Sequence, residues 1–277
     1  MKSLLKKVAV AFFAVSSVVS ASFADDINLW KKSTLNQILQ KGEMKVCLEP
    51  GYMPFEMKDK KGRIIGYDVD FAKKMAKDMG VKVKFLPTAW DGIIGALITG
   101  KCDIIISGMT VTQQRNLKVN FANPYVVVGQ TVLMTKKHEG KIKSAKELDK
   151  KEYTITTKLG TSADVAVRKF YKKAKIVTFE TEADAAAEVL NGRADAFVYD
   201  QPYNVLFMSD KGKGRLIHLD TPLTYEPLAW AIRKGDPDFL NWLNNFLRQM
   251  QEDKVVGFTD KLYKKWLVDT EWLKRVQ

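Results

Sequence analysis

The sequence predicts an α/β protein of two lobes, each a mostly parallel sheet flanked by helices. Strands alternate with helices of roughly 10 to 15 residues, as in βαβ units, and the alternation occurs twice. Each block also contains a similar segment after its last crossover helix, "GKCDIIIS" in the first and "GRADAFVY" in the second. Because ligands of open parallel sheets bind outside the carboxyl ends of strands, we expect a cleft with Gly108 on one side and Asp200 on the other.

The first 24 residues predict a secretory signal peptide that is cut before Asp25. Lysines precede an apolar run at 8–19, and the small-residue pattern "SFA" follows it. The run is well short of the roughly 20 residues that a spanning helix needs. No cysteine lies near the predicted cleavage point to carry a lipid. We therefore expect a soluble, exported protein in the periplasm.

Composition weighs against two classes of site. The formal net charge is +13, but the lysines are scattered over every segment, which favours a solvated surface over nucleic-acid binding. The only histidines, His138 and His218, have no metal-ligand spacing, so we expect neither metal nor cofactor. Cys47 and Cys102 fall at apolar strand positions, where one disulfide or two buried thiols are both compatible with the sequence.

The first block begins at Lys45. Its successive strand, loop, helix, strand, helix and strand read "KVCLE", "PGYMPFEMKDKKGRII", "GYDVDFAKKMAKDMG", "VKVKFLP", "AWDGIIGALITG" and "DIIIS". In the first helix Phe71 and Met75 lie one turn apart on an apolar face. Asp68 and Asp70 fall in its first turn, where carboxylates stabilise free amides. We expect a structural role for both aspartates and no contact with ligand.

The second block has the same alternation. Its strands read "EYTITTK", "KIVTFE" and "DAFVY", its helices "SADVAVRKFYKK", "EADAAAEVLNG" and "PYNVLFMSDK", and a helical tail "FLNWLNNFLRQMQEDKVVGFTDKLYKKWL" follows. Two extended segments, 126–133 and 221–230, are predicted to carry the chain between the lobes as a hinge. We therefore assign residues 25–128 and 226–277 to lobe 1, and 129–225 to lobe 2.

The stretch "SGMTVTQQR" at 107–115 predicts an anion clamp at the end of a buried strand. It follows three isoleucines and presents hydroxyls, a glycine amide and the guanidinium of Arg115 at one point outside the sheet. A polar turn with a solvated arginine is the alternative.

Taken in order, these motifs resemble a known family. "YMPFE", "GYDVDFAKKMAKDM", "SGMTVTQQR", "NFANPY", "KLGTS", "GRADAFVYD" and "KKWL" are similar to segments of the bacterial extracellular solute-binding proteins for polar amino acids, family 3. The resemblance covers nearly all of the mature chain. It implies the two-lobed type II periplasmic-binding-protein fold and a free amino acid as ligand. It also implies a monomer that delivers this ligand to the membrane permease and ATPase of an ABC importer.

The resemblance also implies which residues hold the ligand's headgroup. Arg115 would pair bidentately with the α-carboxylate, as a guanidinium fork suits a planar carboxylate. The other expected headgroup residues are Ser107, Gly108, Thr110, Thr161, Ser162 and, for the α-ammonium, Asp200. Simple helix capping is the alternative for Thr161 and Ser162, and for Asp200.

For the ligand's side chain, the resemblance places Tyr52 and Trp90 as flanking aromatics, with Phe55 on the same wall. Glu49 and Lys158 would serve the two ends of an amide, so the expected ligand is glutamine first, then a basic amino acid, then an acidic one. Core packing is the alternative for the aromatics. For Glu49 and Lys158, the alternative is a salt bridge with each other, away from the ligand.

An enzyme on the same fold is the competing function. The chain also resembles the periplasmic cyclohexadienyl dehydratases, which share the two lobes and the arginine clamp. In those enzymes a catalytic glutamate is expected at the position that Ala163 occupies here, so the general acid has no candidate. We therefore expect a binding protein without catalytic activity.

Overall fold

The computed structural model describes residues 32–252 and 257–276. The predicted signal peptide and its cleavage point lie outside the described residues. Within those ranges, no helix is both long and apolar enough to cross a bilayer.

Fourteen strands are found in the described ranges. They are β1 Glu43–Leu48, β2 Met57–Lys58, β3 Ile64–Ile65, β4 Lys82–Pro87, β5 Ile104–Ile105, β6 Asn120–Phe121, β7 Val126–Val128, β8 Gln130–Thr135, β9 Thr154–Lys158, β10 Lys175–Phe179, β11 Ala196–Asp200, β12 Leu216–Leu219, β13 Glu226–Leu228 and β14 Ala231–Ile232. The short hairpin of β2 and β3 lies inside a segment that was predicted as loop.

The α-helices of the described ranges are α1 Thr34–Lys41, α2 Tyr67–Met79, α3 Trp90–Ile98, α4 Gln113–Asn116, α5 Ser162–Phe170, α6 Glu182–Leu190, α7 Gln201–Asp210, α8 Pro237–Glu252, α9 Phe258–Tyr263 and α10 Leu273–Val276. Short 3-10 helices span Lys136–His138 and Ala145–Leu148, and a π-helical turn spans Lys264–Val268. The α5 helix ends earlier than predicted because Tyr171 is extended and buried in the core of lobe 2. The predicted helical tail is divided between α8, α9 and the π turn.

Two five-stranded sheets form the frame. The first has the order β4-β1-β5-β14-β6 and the second β10-β9-β11-β8-β12. In each sheet three neighbouring strands are parallel, as predicted. The other two strands are antiparallel to their neighbours, because β8, β12 and β14 lie in or next to the segments that cross between the lobes. Each sheet is therefore half parallel and half antiparallel in its strand pairs.

The two crossing segments pair with each other. β7 and β13 form a two-stranded antiparallel ribbon, with Val128 opposite Glu226 and Val126 opposite Leu228. The residues flanking this ribbon belong to β8 of the second sheet and β14 of the first. A ribbon between two sheets can bend by small changes in a few backbone dihedral angles. The lobe boundaries given above remain a prediction, and we keep the names lobe 1 and lobe 2 for those ranges.

The two cysteines are bonded to each other. Cys47, on β1, and Cys102, just before β5, form a disulfide with a Cα–Cα distance of 5.7 Å. Both side chains are buried among the apolar residues under α3. The bond fastens two adjacent parallel strands of the first sheet, and it answers the question that the sequence left open.

Candidate ligand-binding site

The carboxyl ends of the parallel strands of both sheets meet at one narrow cavity. Glu49 follows β1, Ser107 follows β5, Lys158 ends β9 and Asp200 ends β11. The cavity is lined by Glu49, Tyr52, Glu56, Trp90, Ser107, Gly108, Thr110, Arg115, Lys158, Thr161, Ser162, Ala163, Tyr199 and Asp200. All of the predicted site residues except Phe55 are in this set.

Gly108 turns the chain at the floor of the cavity. Its φ of 51° lies in the left-handed region, and a Cβ at this position would collide with the ring of Tyr52. Its N–H donates to Asp68 Oδ2 at 2.7 Å. Because the amide is already bonded to a buried carboxyl, the carbonyl is the group that Gly108 has left for a ligand.

Two buried carboxyls support this floor from below. Asp68 also accepts a hydrogen bond from the Tyr125 hydroxyl at 2.9 Å, and Glu56 accepts one from Ser107 Oγ at 2.6 Å. Burial raises the pKa of Asp68 to about 7. Burial, and then the nearby Asp68 charge, raises the pKa of Glu56 well above its ordinary value. The sequence suggested that Asp68 stabilises free amides of its own helix. In the structure its carboxyl instead holds the turn at Gly108.

Arg115 lies at the rim of the headgroup end. One guanidinium nitrogen, Nη1, donates to the Thr110 carbonyl at 2.9 Å. The guanidinium carbon lies 5.2 Å from the centre of the Trp90 ring, within the range of a cation–π contact. Burial lowers the pKa of Arg115 from its ordinary value. The guanidinium is thus fixed in direction by a carbonyl and an aromatic face, with no carboxylate bonded to it in the described contacts.

Lobe 2 meets this end through hydroxyl and amide groups. The hydroxyls of Thr110 and Ser162 lie 3.1 Å apart across the cleft, and Gln130 Nε2 donates to Ser162 Oγ at 3.0 Å. The Thr161 hydroxyl caps α5 by accepting from the Asp164 amide at 3.3 Å. Capping, the alternative raised for both residues, therefore applies to the side chain of Thr161, whereas that of Ser162 faces lobe 1.

Asp200 lies opposite Gly108 as expected. Its backbone is at the N-cap of α7, but its side chain makes no capping bond. The carboxyl instead accepts from the Tyr52 hydroxyl at 2.5 Å. Burial raises the pKa of Asp200 to about 7.

The side-chain end of the cavity holds an ion cluster that crosses the cleft. Lys158 Nζ donates to Glu49 of lobe 1 and, at 2.7 Å, to Glu182 of lobe 2. The other oxygen of Glu49 accepts from the Trp90 amide at 3.3 Å. A direct Glu49–Lys158 ion pair, named above as an alternative, is therefore present, and it forms part of the cavity wall.

The aromatic residues divide between wall and support. Trp90 is half-buried, lines the cavity and donates from Nε1 to the Gly160 carbonyl of lobe 2 at 3.1 Å. Phe55 is fully buried and stacks on Tyr52 with a centroid distance of 4.7 Å. The expectation that Phe55 lines the wall is thus not met, because Tyr52 stands between it and the cavity.

Several residues of the site were not predicted as such. Glu56, Ala163 and Tyr199 line the cavity, and Gln130 and Glu182 bond to residues that do. "YMPFE" gave a signal for Glu56, since that motif already contained Tyr52. Glu182 had no such signal in the sequence, because an acidic residue at the start of a helix is common and is explained by the helix dipole alone. Across 32–252 and 257–276, no group of three or more histidine, cysteine, aspartate or glutamate side chains could hold a metal ion.

Comparison with known proteins gives consistent matches. The family model of bacterial extracellular solute-binding proteins, family 3, matches residues 44–269. A candidate ABC-transporter binding component from Wolinella succinogenes, solved in complex with lysine, is 61% identical with a TM-score of 0.82, over 84% of this chain and 99% of that one. The L-cystine-binding protein TcyJ of Escherichia coli is 30% identical over 96% of this chain and 94% of its own.

A more distant match is named as an enzyme. The cyclohexadienyl dehydratase of Pseudomonas aeruginosa is 26% identical over 82% of this chain and 84% of its own. The two more similar proteins given above are named as binding proteins.

Proposed function

The chain belongs to the bacterial extracellular solute-binding proteins of family 3, and on that premise we propose that it captures one polar amino acid between its two lobes and delivers it to an ABC importer. The type II fold and the amino-acid-binding class agree with the relatives described above. The observation that carries the proposal is the convergence, from both lobes, of groups complementary to an α-amino acid headgroup. Arg115 comes from lobe 1 and Asp200 from lobe 2.

In this proposal the α-carboxylate pairs with Arg115 and the hydroxyls of Thr110 and Ser162. A bidentate pair with a guanidinium is the strong form of this interaction. The free amides at the start of α5, next to Thr161, add the partial positive charge of a helix N-terminus. The α-ammonium lies between the Gly108 carbonyl and the Asp200 carboxylate.

The ligand's side chain would extend between Tyr52 and Trp90 toward Glu49 and Lys158. Support for a ligand with a long polar side chain comes from the Wolinella succinogenes protein, which was solved in complex with lysine. Glutamine remains a candidate, because Glu49 and Lys158 could meet the two ends of its amide.

Ligand binding would favour the closed arrangement, because the ligand's contacts come from both lobes. The paired crossing strands β7 and β13 are the proposed hinge, between lobe 1 at 25–128 and 226–277 and lobe 2 at 129–225. The permease and ATPase of the importer, a monomeric state and a periplasmic location after cleavage before Asp25 are parts of the same proposal. We also propose that the protein is not an enzyme, since Ala163 stands at the position where the resemblance to the dehydratases places their catalytic glutamate.

Calorimetric titration of the mature chain with each of the twenty amino acids tests the proposal. We expect saturable binding of at least one polar amino acid and, in parallel incubations, no consumption of prephenate or arogenate. Absence of binding to all twenty would contradict the proposal. Consumption of either dehydratase substrate would favour the enzyme instead.

A further inference from the structure

Glu182 does not line the cavity, yet it is bonded to a residue that does. It is the first residue of α6, and only 2% of its surface is exposed. One carboxylate oxygen accepts from Lys158 Nζ at 2.7 Å. The other lies against Gly51 of lobe 1, so close that a Cβ at that glycine would be 2.8 Å away. Glu182 is therefore held between the lysine and the opposite lobe.

Lys158 is buried as deeply, with 2% of its surface exposed. Its ammonium group is shared between Glu49 and Glu182, which approach it from the two lobes. Burial lowers the pKa of Lys158, but the two carboxylates, led by Glu182, outweigh burial and raise it. The single positive charge of Lys158 thus faces two negative charges, those of Glu49 and Glu182.

Counting charges at this end of the cavity changes the ligand preference. Glu49 and Lys158 alone cancel, which favours a neutral amide. With Glu182 included, the three groups carry one net negative charge, and a cationic side chain supplies the missing counter-ion. An amide side chain leaves that charge without one.

We infer that Glu182 is a positioning residue that makes the site selective for cationic over amide side chains, because it shares Lys158 with Glu49 and so leaves a net negative charge at Glu49 for the ligand. This inference rests on the proposed function, and it places lysine or arginine ahead of glutamine. It assigns specificity to a residue that the ligand itself does not touch.

Titration calorimetry with lysine and with glutamine tests the inference on the wild type and on Glu182→Gln. In the variant we expect lysine affinity to fall about tenfold, while glutamine affinity changes less than about twofold, since only the charged ligand loses a counter-charge. Glu188→Gln is the matched control, because Glu188 lies on the same helix but pairs with Arg193 at the surface. It should leave both affinities unchanged.

A double variant separates specificity from structural damage. In Lys158→Met/Glu182→Met the net charge returns to that of the wild type and the two bonded polar groups are removed together, so lysine affinity should recover most of the loss. Equal losses for lysine and glutamine in Glu182→Gln, or a double variant no better than Glu182→Gln, would overturn the inference alone. A wild type that binds no amino acid would overturn the proposed function as well.

Discussion

The two ends of the cavity are built differently. At the headgroup end, Gly108, Thr110 and Arg115 follow one strand within a few residues, and their directions are fixed by backbone bonds and a buried carboxyl. At the side-chain end, Glu49, Lys158 and Glu182 come from three separate elements, and Glu49 reaches the other two only across the cleft. The lobe 1 half of the first end is a property of one local turn, whereas the second end is a property of the assembled chain.

This contrast predicts that the headgroup end contributes affinity for every ligand. Arg115→Ala should weaken binding of all amino acids by about 2 to 5 kcal/mol, because it removes one partner of a desolvated charge pair. Arg115→Lys should also bind weakly, since lysine lacks the planar fork. Calorimetry would measure both, with Arg168→Ala as control, because Arg168 pairs with Asp164 on the outside of lobe 2. Unchanged affinity in Arg115→Ala would refute the carboxylate assignment.

The side-chain end should instead act selectively. Glu49→Gln should weaken lysine binding by about 1 to 3 kcal/mol and relieve the penalty on glutamate, because it removes the negative charge that faces the ligand. Titrations with lysine and glutamate against the wild type and the variant would measure this. Glu43→Gln, at the start of the same strand, is the control. A variant that weakens both ligands alike would show that Glu49 has no part in selection.

A smaller effect is expected from pH at the boundary between the two ends. Burial raises the pKa of Asp200 to about 7, and its carboxylate must be ionised to pair with the α-ammonium. Affinity should therefore fall about tenfold between pH 8 and pH 6, since each pKa unit corresponds to 1.36 kcal/mol. In Asp200→Asn, binding should be weak and should lose this dependence. A wild-type affinity that stays constant over the same range would argue against Asp200 as the ammonium partner.

The last prediction concerns the stability of the fold rather than affinity, through the support below Gly108. The folded-state pKa of Asp68 is raised to about 7 from an ordinary 3.8. The folded protein thus holds a proton that the unfolded chain has lost, and the unfolding free energy declines as pH rises from about 4 to about 7.

Asp68→Asn should remove most of that decline, on the order of 3 kcal/mol at 1.36 kcal/mol per pKa unit, because the asparagine oxygen still accepts from Gly108 and Tyr125 without titrating. Urea unfolding at pH 4.5 and pH 7.5 would measure the difference. Both proteins are measured in a Glu56→Gln background, because the Asp68 charge raises the pKa of Glu56 and that group would not cancel in the comparison. Equal slopes for wild type and variant would show that Asp68 does not titrate in this range.

The same contrast explains what the sequence could and could not predict. The βαβ alternation and the cleft follow local patterns, so residue type and spacing were enough to put Arg115 and Asp200 near the strand ends that face it, whereas their headgroup roles came from the family resemblance and remain predictions. Phe55 could not be placed, because which of two neighbouring aromatics faces the cavity depends on packing against Tyr67. Glu182 could not be found, because its partner Lys158 is 24 residues away in the chain.

The position of β14 imposes an order in time on the newly made chain. β14 lies between β5 and β6, yet it follows all of lobe 2 in the sequence. A chain that emerges from its amino terminus can complete the sheet of lobe 2 while that of lobe 1 still lacks an inner strand. In many proteins the amino-terminal domain folds first. Here the first lobe to be synthesised is the last to be finished, and its late long-range pairing is the slow kind of contact.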